Sequence, residues 1–366
     1  MERGITQLTP DHSQLPLQKI GQGYCGTVWA NLEPGQVNAD VYRLVLKSEG
    51  GRPGCSLPYE LEIHEHLLGT LRMNRDSDIA KSGFRVNIPF CLGFLDQNSR
   101  SWPRILPRLP SGFKPCKALV NEKIPSMPGQ IRTLLSRAYH PQVDSTASIE
   151  DDHCLVQVYL GCRRHHLQEV ESSGPVRLSV SSLRDFPLHI DQIEELGLPA
   201  KDYATAMADT LAFLYWTAKV DADGVKFVLA PRRTAGVIVS NPGIGCFAFE
   251  SEAFGQHVMW VLDFDSCRKM TTNEAGVIQA ARSFLRNYPC YPQPSCSDAA
   301  DSQLWEIFRS RFLETSRRIL SGHDASPQGL PAMLMEEIVR AWRQVCCNSE
   351  LPEGIVAWAS ANSELV

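Results

Sequence analysis

The amino-acid sequence predicts an α+β protein with two lobes, a small β-rich lobe followed by a larger helical one. The region that begins near residue 16 alternates short strand-like runs with glycine-bearing turns. From about residue 187, most apolar residues recur at helical spacing. The chain has 366 residues, which is enough for two lobes that share a cleft. We place tails at 1–15 and 351–366, the first lobe at 16–165 and the second lobe at 166–350.

The first lobe is predicted to contain several strands and one main helix. The runs LQKIGQGYCGTVWANLEP and VYRLVLKSE indicate two or three strands joined by turns. SLPYELEIHEHLLGTLRM has leucines at near-helical spacing and Pro58 near its start, which indicates a helix. IPFCLGFLD, KALVNEKI and CLVQVYLG are strand-like, and residues 126–153 are expected to hold a short helix and a polar loop.

The second lobe is predicted to be mainly helical. LHIDQIEELG and YATAMADTLAFLYWTAKV have helical patterns, and KFVLAP and HVMWVLDFD are short strand-like runs. The segments from NEAGVIQAARSFLRN to PAMLMEEIVRAWRQVC are mostly helical, with the proline-rich turn YPCYPQP between them.

Composition narrows the class of protein. A hydrophobic fraction of 43% and a charged fraction of 21% are ordinary for a globular domain. No apolar run reaches the roughly 18 residues that a membrane-spanning helix needs, and the N-terminal stretch has no apolar signal core. We therefore expect a cytoplasmic protein without a membrane partner. The net charge of −5 argues against a general polyanion binder.

The cysteines predict neither a disulfide framework nor a metal site. The chain has 12 cysteines, but they are scattered and form no CxxC pair. We expect most of them to be reduced, small and buried. The stretch Cys162-Arg163-Arg164-His165-His166 lacks a second pair of ligands at any usual spacing, so we expect no metal there.

A glycine motif and a lysine mark the start of the first lobe. Gly21, Gly23 and Gly26 lie between two strand-like runs and predict a β-turn-β flap. Backbone amides in such a flap can approach a phosphate, and a plain tight hairpin explains the glycines equally well. Lys47 follows on the next strand, where it can neutralise phosphate oxygens, and we expect the helix acid Glu62 to hold it.

Two acid-bearing segments follow in the second lobe. A long helix leads to Asp221 and Asp223, and the run VLDFD ends in Asp263 and Asp265. A glycine flap, a strand lysine, a helix acid and two such segments occur in this order in protein-kinase-like folds. There the first acid accepts a proton and the second binds magnesium. Phe227 stands where those folds have the second metal ligand, which argues against ordinary phosphoryl transfer.

Five stretches of the chain together resemble a known family: CLVQVYLGCRR, SLRDFPLHIDQIEELGLPAKDYATAMADTLAFLYW, VDADGVKFVLAP, WVLDFDSCR and SFLRNYPCYPQP. The family is a fungal group of kinase-like proteins of unknown function, sometimes found beside zinc-finger segments. It includes the arginine-containing cyclodipeptide synthases. The resemblance spans roughly residues 20–345. It departs at YWTAKVDADG, where the family pattern has a histidine before the tryptophan and an asparagine after VDA.

The resemblance implies an enzyme of secondary metabolism that uses arginyl-tRNA and a second aminoacyl-tRNA to make a cyclo-Arg-Xaa diketopiperazine. Aminoacyl esters are already activated, so the reaction needs positioning, a base and oxyanion donors, and no ATP, magnesium or other cofactor. The guanidinium group of arginine needs a carboxylate, for which the paired aspartates are candidates. The catalytic candidates are Lys47, Glu62, Asp223, Asp263 and Asp265. The substrate-binding candidates are Gly21, Gly23, Cys25, Gly26, Asp221 and Ser266. Cys25 and Ser266 would also be the nucleophiles of a covalent route.

Transfer RNA would be bound through its phosphates and its single-stranded acceptor end. The candidate contacts are Arg163, Arg164, His165, Arg232, Arg233, Arg317 and Arg318, although such clusters are also typical of a solvated helix face. Two alternatives stay open: a small-molecule or protein kinase that uses ATP and magnesium, and a non-catalytic pseudokinase that binds a partner.

Overall fold

A computed structural model describes the chain in ten ranges: 16–23, 25–31, 44–50, 54–74, 84–139, 153–164, 183–233, 247–294, 298–321 and 326–347. The predicted tails and the predicted RNA contact His165 lie outside these ranges. The described residues form a mixed α+β structure, as the sequence predicts, and their strands form two sheets. None of the helices within these ranges combines the length and apolar character needed to cross a bilayer.

The strands within the described ranges are β1 Leu17–Gln22, β2 Gly26–Asn31, β3 Leu44–Glu49, β4 Val86–Asn87, β5 Cys91–Leu95, β6 Ala118–Glu122, β7 Val156–Tyr159, β8 Phe186–His189, β9 Lys226–Ala230, β10 Phe249–Ser251 and β11 Gly255–Leu262. The α-helices there are α1 Leu57–Met73, α2 Trp102–Ile105, α3 Gly129–Tyr139, α4 Ile190–Glu195, α5 Ala200–Ala212, α6 Glu274–Arg286, α7 Ala299–Leu320 and α8 Leu330–Cys347. A π-helical turn, Phe213–Thr217, extends α5.

The first sheet has the strand order β1-β2-β3-β6-β5, and all of its pairs are antiparallel. The second sheet has the order β10-β11-β9-β7-β8, with β4 added in parallel beside β11. Strand β7, which the sequence analysis assigns to the first lobe, therefore belongs to the second sheet. The first sheet ends along the chain at Glu122, before α3.

Helix α1 connects the two sheets. Ser56 caps its first turn by accepting a hydrogen bond from the Tyr59 amide, and Pro58 occupies the first turn, where its missing N–H costs nothing. Ile63 and Leu67 on its buried face belong to the same apolar core as β7, β8 and helices α5 to α7. The first sheet has a smaller core of its own. Because α1 packs into the core of the second lobe, it fixes first-lobe side chains relative to the second sheet.

Helices α5 and α7 pack together around a buried acid. Asp209 on α5 is 3% exposed and accepts hydrogen bonds from the Arg311 guanidinium at 2.7 and 3.0 Å and from the Thr315 hydroxyl at 2.5 Å. A buried carboxylate is tolerated only when it is paired in this way. Arg311 therefore stabilises the packing of α5 against α7.

Cys25 is an exception to the expectation that most of the cysteines are reduced. Its sulfur forms a disulfide with that of Cys55, which joins the turn between β1 and β2 to the residue before the cap of α1. Scattered spacing gives no sign of this pair, because the two residues meet only when the hairpin folds over the start of the helix. The other cysteines whose side chains are described are free, and four of these six are buried.

Gly26 is the one glycine of the motif that packing requires. A Cβ on Gly26 would lie 2.2 Å from the backbone oxygen of Ser48 on β3, whereas a Cβ on Gly23 would have nothing within 4 Å. We predict that Gly26→Ala lowers the free energy of unfolding by about 1–3 kcal/mol, because β2 must move away from β3. Gly23→Ala, the matched control, should change it by no more than about 0.5 kcal/mol. Urea denaturation of the two variants compares them; equal values would contradict the close approach.

Candidate functional site

The ammonium group of Lys47 is the centre of the candidate site. Lys47 lies on β3, in the middle of the first sheet, and is 8% exposed. Its Nζ lies 2.9 Å from Glu60 Oε1, 3.3 Å from Asp263 Oδ1 and 3.3 Å from Asp265 Oδ2. The structure therefore brings together the strand lysine and both aspartates of the late strand, as the sequence analysis expects. One lysine joins the first sheet, α1 and the end of β11.

The expectation that Glu62 holds Lys47 is wrong, and Glu60 takes this place. Residues two apart on a helix point to opposite sides. Glu60 shares the buried face with Ile63 and Leu67, while Glu62 is exposed and pairs with Lys269 at 2.5 Å. The helical phase of the apolar residues identifies Glu60, since it lies three residues before Ile63 and seven before Leu67.

Asp263 and Asp265 follow β11 in a backbone turn. Asp263 has φ = 72°, in the left-handed region that non-glycine residues rarely adopt. The side chain between them, Phe264, is buried and anchors the turn in the core. The two carboxyl side chains keep 21% and 11% of their surface exposed, so the site is not sealed.

A second lysine, Lys226, completes the site and is not among the residues predicted from the sequence. Lys226 begins β9 and pairs with Leu262 at the end of β11, so it lies beside Asp263. Its Nζ is 3.1 Å from Asp263 Oδ2, and 38% of its side chain is exposed. Phe227, the predicted metal-ligand position, is instead fully buried against Tyr291. Side chains alternate along a strand, so Lys226 and Phe227 face opposite sides.

Each oxygen of the Asp263 carboxylate thus has an ammonium partner, Lys47 on one side and Lys226 on the other. In protein kinases an aspartate and an asparagine hold magnesium, and the sequence analysis predicts that Asp263 would be such an aspartate. Here the groups that contact the aspartate are both cations. Within the ranges that the structure describes, no three His, Cys, Asp or Glu side chains form a metal-binding group.

The charges of the site shift one another's pKa values. Burial would lower the pKa of Lys47, but Asp263, Glu60 and Asp265 raise it, so the lysine stays charged. The charge of Asp263 likewise raises the pKa of Lys226. Burial would raise the pKa of Asp263, but the two lysines hold it below its ordinary value. Burial raises the pKa of Glu60 to about 7; Lys47 opposes this shift and the two aspartates add to it. Burial and the charge of Asp263 raise the pKa of Asp265.

Asp221 and Asp223 lie outside the lysine cluster and have other partners. Asp221 is 2% exposed and accepts hydrogen bonds from the Arg268 amide and the Gln279 side chain, both at 2.8 Å. Asp223 pairs with Arg286 at 2.6 Å. Asp221 therefore fixes the loop after the π-helical turn, and Asp223 contacts the surface arginine of α6.

Of the remaining predicted substrate-binding residues, Ser266 lies at the edge of the site, and three glycines and Cys25 lie in the hairpin of β1 and β2. Ser266 donates a hydrogen bond to Asp265 Oδ1 at 3.1 Å, and Gly224 makes room for it, because a Cβ there would lie 3.0 Å from that of Ser266. In the hairpin, the Gly23 amide donates to the Gly26 carbonyl at 2.9 Å. Gly21 pairs with Val28 in the ladder. The sulfur of Cys25 is bonded to that of Cys55, so Cys25 has no free thiol to act as a nucleophile.

The predicted RNA contacts are largely neutralised within the protein. Arg163 is buried and pairs with Glu194 at 2.7 Å and with Asp301 at 2.6 Å. Three other arginines also form ion pairs with carboxylates of the protein. Arg164 pairs with Asp191 and Glu195, Arg318 pairs with Glu314, and Arg233 pairs with Glu122 and lies over the ring of Phe90. Arg232 and Arg317 have exposed side chains. Arg163 and Arg164 each bind two carboxylates already, so their guanidinium groups have little remaining capacity to bind a phosphate.

Comparison with known proteins gives one partial match. A family of domains of unknown function, described as "zinc finger protein", matches residues 259–324. This range holds the end of β11, both aspartates of the site, α6 and α7, and it is less than a fifth of the chain. No curated protein and no solved structure matches the chain.

We predict that the free energy of unfolding falls as pH rises from 4.5 to 7, because of Glu60. In this window folded Glu60, with its pKa of about 7, keeps a proton that unfolded Glu60 has lost, so unfolding releases it. The loss is at most about 3 kcal/mol, at about 1.4 kcal/mol per pKa unit. Denaturant melts of Glu60→Gln should show a flatter pH dependence than the wild-type protein. Glu62→Gln, the exposed control, should follow the wild type; a Glu60→Gln curve parallel to both would contradict the prediction.

We also predict that Lys226→Asn creates a magnesium site. The substitution removes one ammonium group from Asp263 and supplies an amide oxygen in its place, as in the metal site of kinases. With about 10 mM magnesium, the melting temperature of Lys226→Asn should rise by roughly 2–5 °C, a gain expected for a site of millimolar affinity. Lys226→Met removes the charge without adding a ligand and should not respond, and neither should the wild type. Equal responses of all three proteins would contradict the prediction.

Proposed function

We propose that the protein is an aminoacyl-tRNA-dependent cyclodipeptide synthase, which joins arginine and a second amino acid into a cyclo-Arg-Xaa diketopiperazine on a kinase-like scaffold. The observation that carries the proposal is the pair of ammonium groups on Asp263, from Lys47 and Lys226. Together with the resemblance of the sequence to such synthases, it favours a reaction in which fixed protein charges replace a metal.

Phosphoryl transfer and aminoacyl transfer make different demands on this site. Transfer from ATP develops charge on phosphate oxygens that magnesium normally neutralises, held by the aspartate and its partner ligand. Peptide-bond formation from an aminoacyl ester develops one negative charge, on the former carbonyl oxygen. A single ammonium group suits that charge. Lys226 is suited to it, because it stays charged, contacts Asp263 and keeps 38% of its side chain exposed.

The proposed reaction has two steps of the same kind. In the first, the neutral α-amino group of one aminoacyl-tRNA attacks the ester carbonyl of the other, so that a C–N bond forms and the C–O bond to the ribose breaks. The amine proton passes through a base to the departing ribose oxygen. In the second, the free amine of the dipeptide attacks its own ester, which closes the ring and releases the second tRNA. Lys226 donates to the oxyanion in both steps.

Asp265 is the proposed base. Its pKa is raised by burial and by Asp263, which brings it closer to that of an amine than an ordinary aspartate. It is 3.3 Å from Lys47 and 3.1 Å from the Ser266 hydroxyl, so its orientation is fixed from both sides. Asp263 is the positioning residue, because it holds the two lysines in place.

The test supplies purified arginyl-tRNA and a mixture of other aminoacyl-tRNAs without ATP, and detects cyclo-Arg-Xaa by mass spectrometry. We predict a product that disappears when ribonuclease is added first. Asp263→Asn should lower its rate by roughly 100-fold, because Lys226 loses the partner that positions it. Asp202→Asn, an exposed control on α5, should leave it unchanged.

Other outcomes would overturn the proposal. Product that forms equally after ribonuclease treatment would show that tRNA is not the donor. ATP hydrolysis or phosphotransfer that is lost in Asp263→Asn, with no dipeptide, would favour a kinase, for which the Lys47–Glu60 ion pair at 2.9 Å is also the expected feature. No product and no response to nucleotide or tRNA would leave a non-catalytic binding module.

A further inference from the structure

Three exposed cations of the second lobe, Lys219, Arg268 and Arg282, have no carboxylate partner within the described ranges. The guanidinium group of Arg268 donates to the backbone oxygens of Asp265 and Cys267, at 3.1 and 2.8 Å. The side chains of Lys219 and Arg282 form no ion pair or hydrogen bond with any described residue. These three groups therefore keep their positive charge for a ligand.

Backbone pairing brings Lys219 and Arg268 together, although they are far apart in the sequence. Val220 forms a β-bridge with Lys269. The amide of Met270 donates a hydrogen bond to the backbone oxygen of Lys219 at 2.8 Å. The loop after the π-helical turn and the segment after the two aspartates of the site therefore lie side by side, and each contributes one of the cations.

Helix α6 contributes the third cation. Gln279 on this helix donates a hydrogen bond to the backbone oxygen of Lys269 at 3.2 Å, which holds α6 against the paired segments. Arg282 lies three residues after Gln279 and so on the same side of the helix. Glu337, an acid whose pKa the charge of Arg282 helps to lower, forms its ion pair with Arg340.

We call Lys219, Arg268 and Arg282 the basic patch. The patch is continuous with the candidate site, because the Arg268 guanidinium contacts the backbone of Asp265. This guanidinium also lies over the ring of Tyr59 on α1, 5.0 Å from its centroid, which fixes its position. A chain of phosphates that leaves the site on this side would therefore meet fixed positive charge at once.

We propose that the basic patch binds the phosphate backbone of tRNA next to its acceptor end. The aminoacyl ester lies at the end of the tRNA and must reach Lys226 and Asp265, so the nucleotides before it lie on the surface around the site. Lysine and arginine side chains neutralise such phosphates. Neighbouring Lys269 and Arg286 already have carboxylate partners, so the patch residues supply the charge. That the polyanion is tRNA rests on the proposed function; the charge of the surface does not.

The test measures binding of a fluorescent, deacylated arginine tRNA transcript to the full chain by anisotropy at several salt concentrations. The double variant Lys219→Asn/Arg282→Gln removes two charges of the patch. Asparagine suits position 219, where φ is 55°, and Arg268 is kept because it also contacts Asp265. At about 50 mM salt the affinity should fall by roughly 10- to 100-fold, and the slope of log K against log salt should decrease by about 2.

The matched control is Arg309→Gln/Arg318→Gln, which changes the net charge by the same amount. Both of these arginines are partly exposed on α7 and pair with Glu306 and Glu314. This variant should bind the transcript like the wild type and keep its salt dependence. Melting temperatures of both variants show whether they are folded.

The outcomes separate this inference from the proposed function. If the patch variant binds like the wild type, or both variants weaken binding equally, the patch is not the tRNA surface, even if cyclo-Arg-Xaa still forms. Binding that depends on the patch supports the surface, even if no dipeptide forms. A wild-type protein that does not bind the transcript would overturn the inference, and patch-dependent binding to vesicles of phosphatidylserine and phosphatidylcholine would then assign the patch to a membrane.

Discussion

The contacts of one ammonium group, that of Lys47, hold the candidate site together. Lys47 comes from the first sheet, Glu60 from α1, and Asp263 and Asp265 from the end of the second sheet. Burying a charge is costly unless it is paired, so each of these groups depends on the others. Helix α1 is packed into the core of the second lobe, which fixes Glu60. These contacts and the packing of α1 therefore help to fix the relative position of the two sheets.

Lys226 changes what such a cleft can do. A magnesium ion carries two charges, keeps bound water and arrives with its nucleotide, whereas an ammonium group carries one charge and is fixed to the chain. With Lys47 and Lys226 on its two oxygens, Asp263 orients cations that already belong to the protein. Under the proposed function, these fixed charges would stabilise a single developing negative charge, as in acyl transfer.

The fold was more predictable than the site. Alternating and helical patterns identify the strands of the first sheet, α1 and the long helices, because burial of one face imposes a period on the sequence. The same logic, applied to α1, would have chosen Glu60 over Glu62, since Glu60 shares the buried face with Ile63. The alternation of side chains along β9 likewise shows that only one of Lys226 and Phe227 can face Asp263, and the apolar Phe227 is the one expected to face the core. The disulfide of Cys25 could not be predicted, because it depends on how a hairpin and a helix meet in space.

The arginines show why charge patterns in a sequence are weak indicators of ligands. Arg163 and Arg164 read as a basic cluster, yet their carboxylate partners lie 27 to 138 residues away in the chain. Folding brings these acids to the guanidinium groups, and the pairs then connect the segment at 163–164 to α4 and α7. A charged residue is available to a ligand only if no other residue of the protein pairs with it. This can be determined only in the folded chain, because folding decides which charges form pairs.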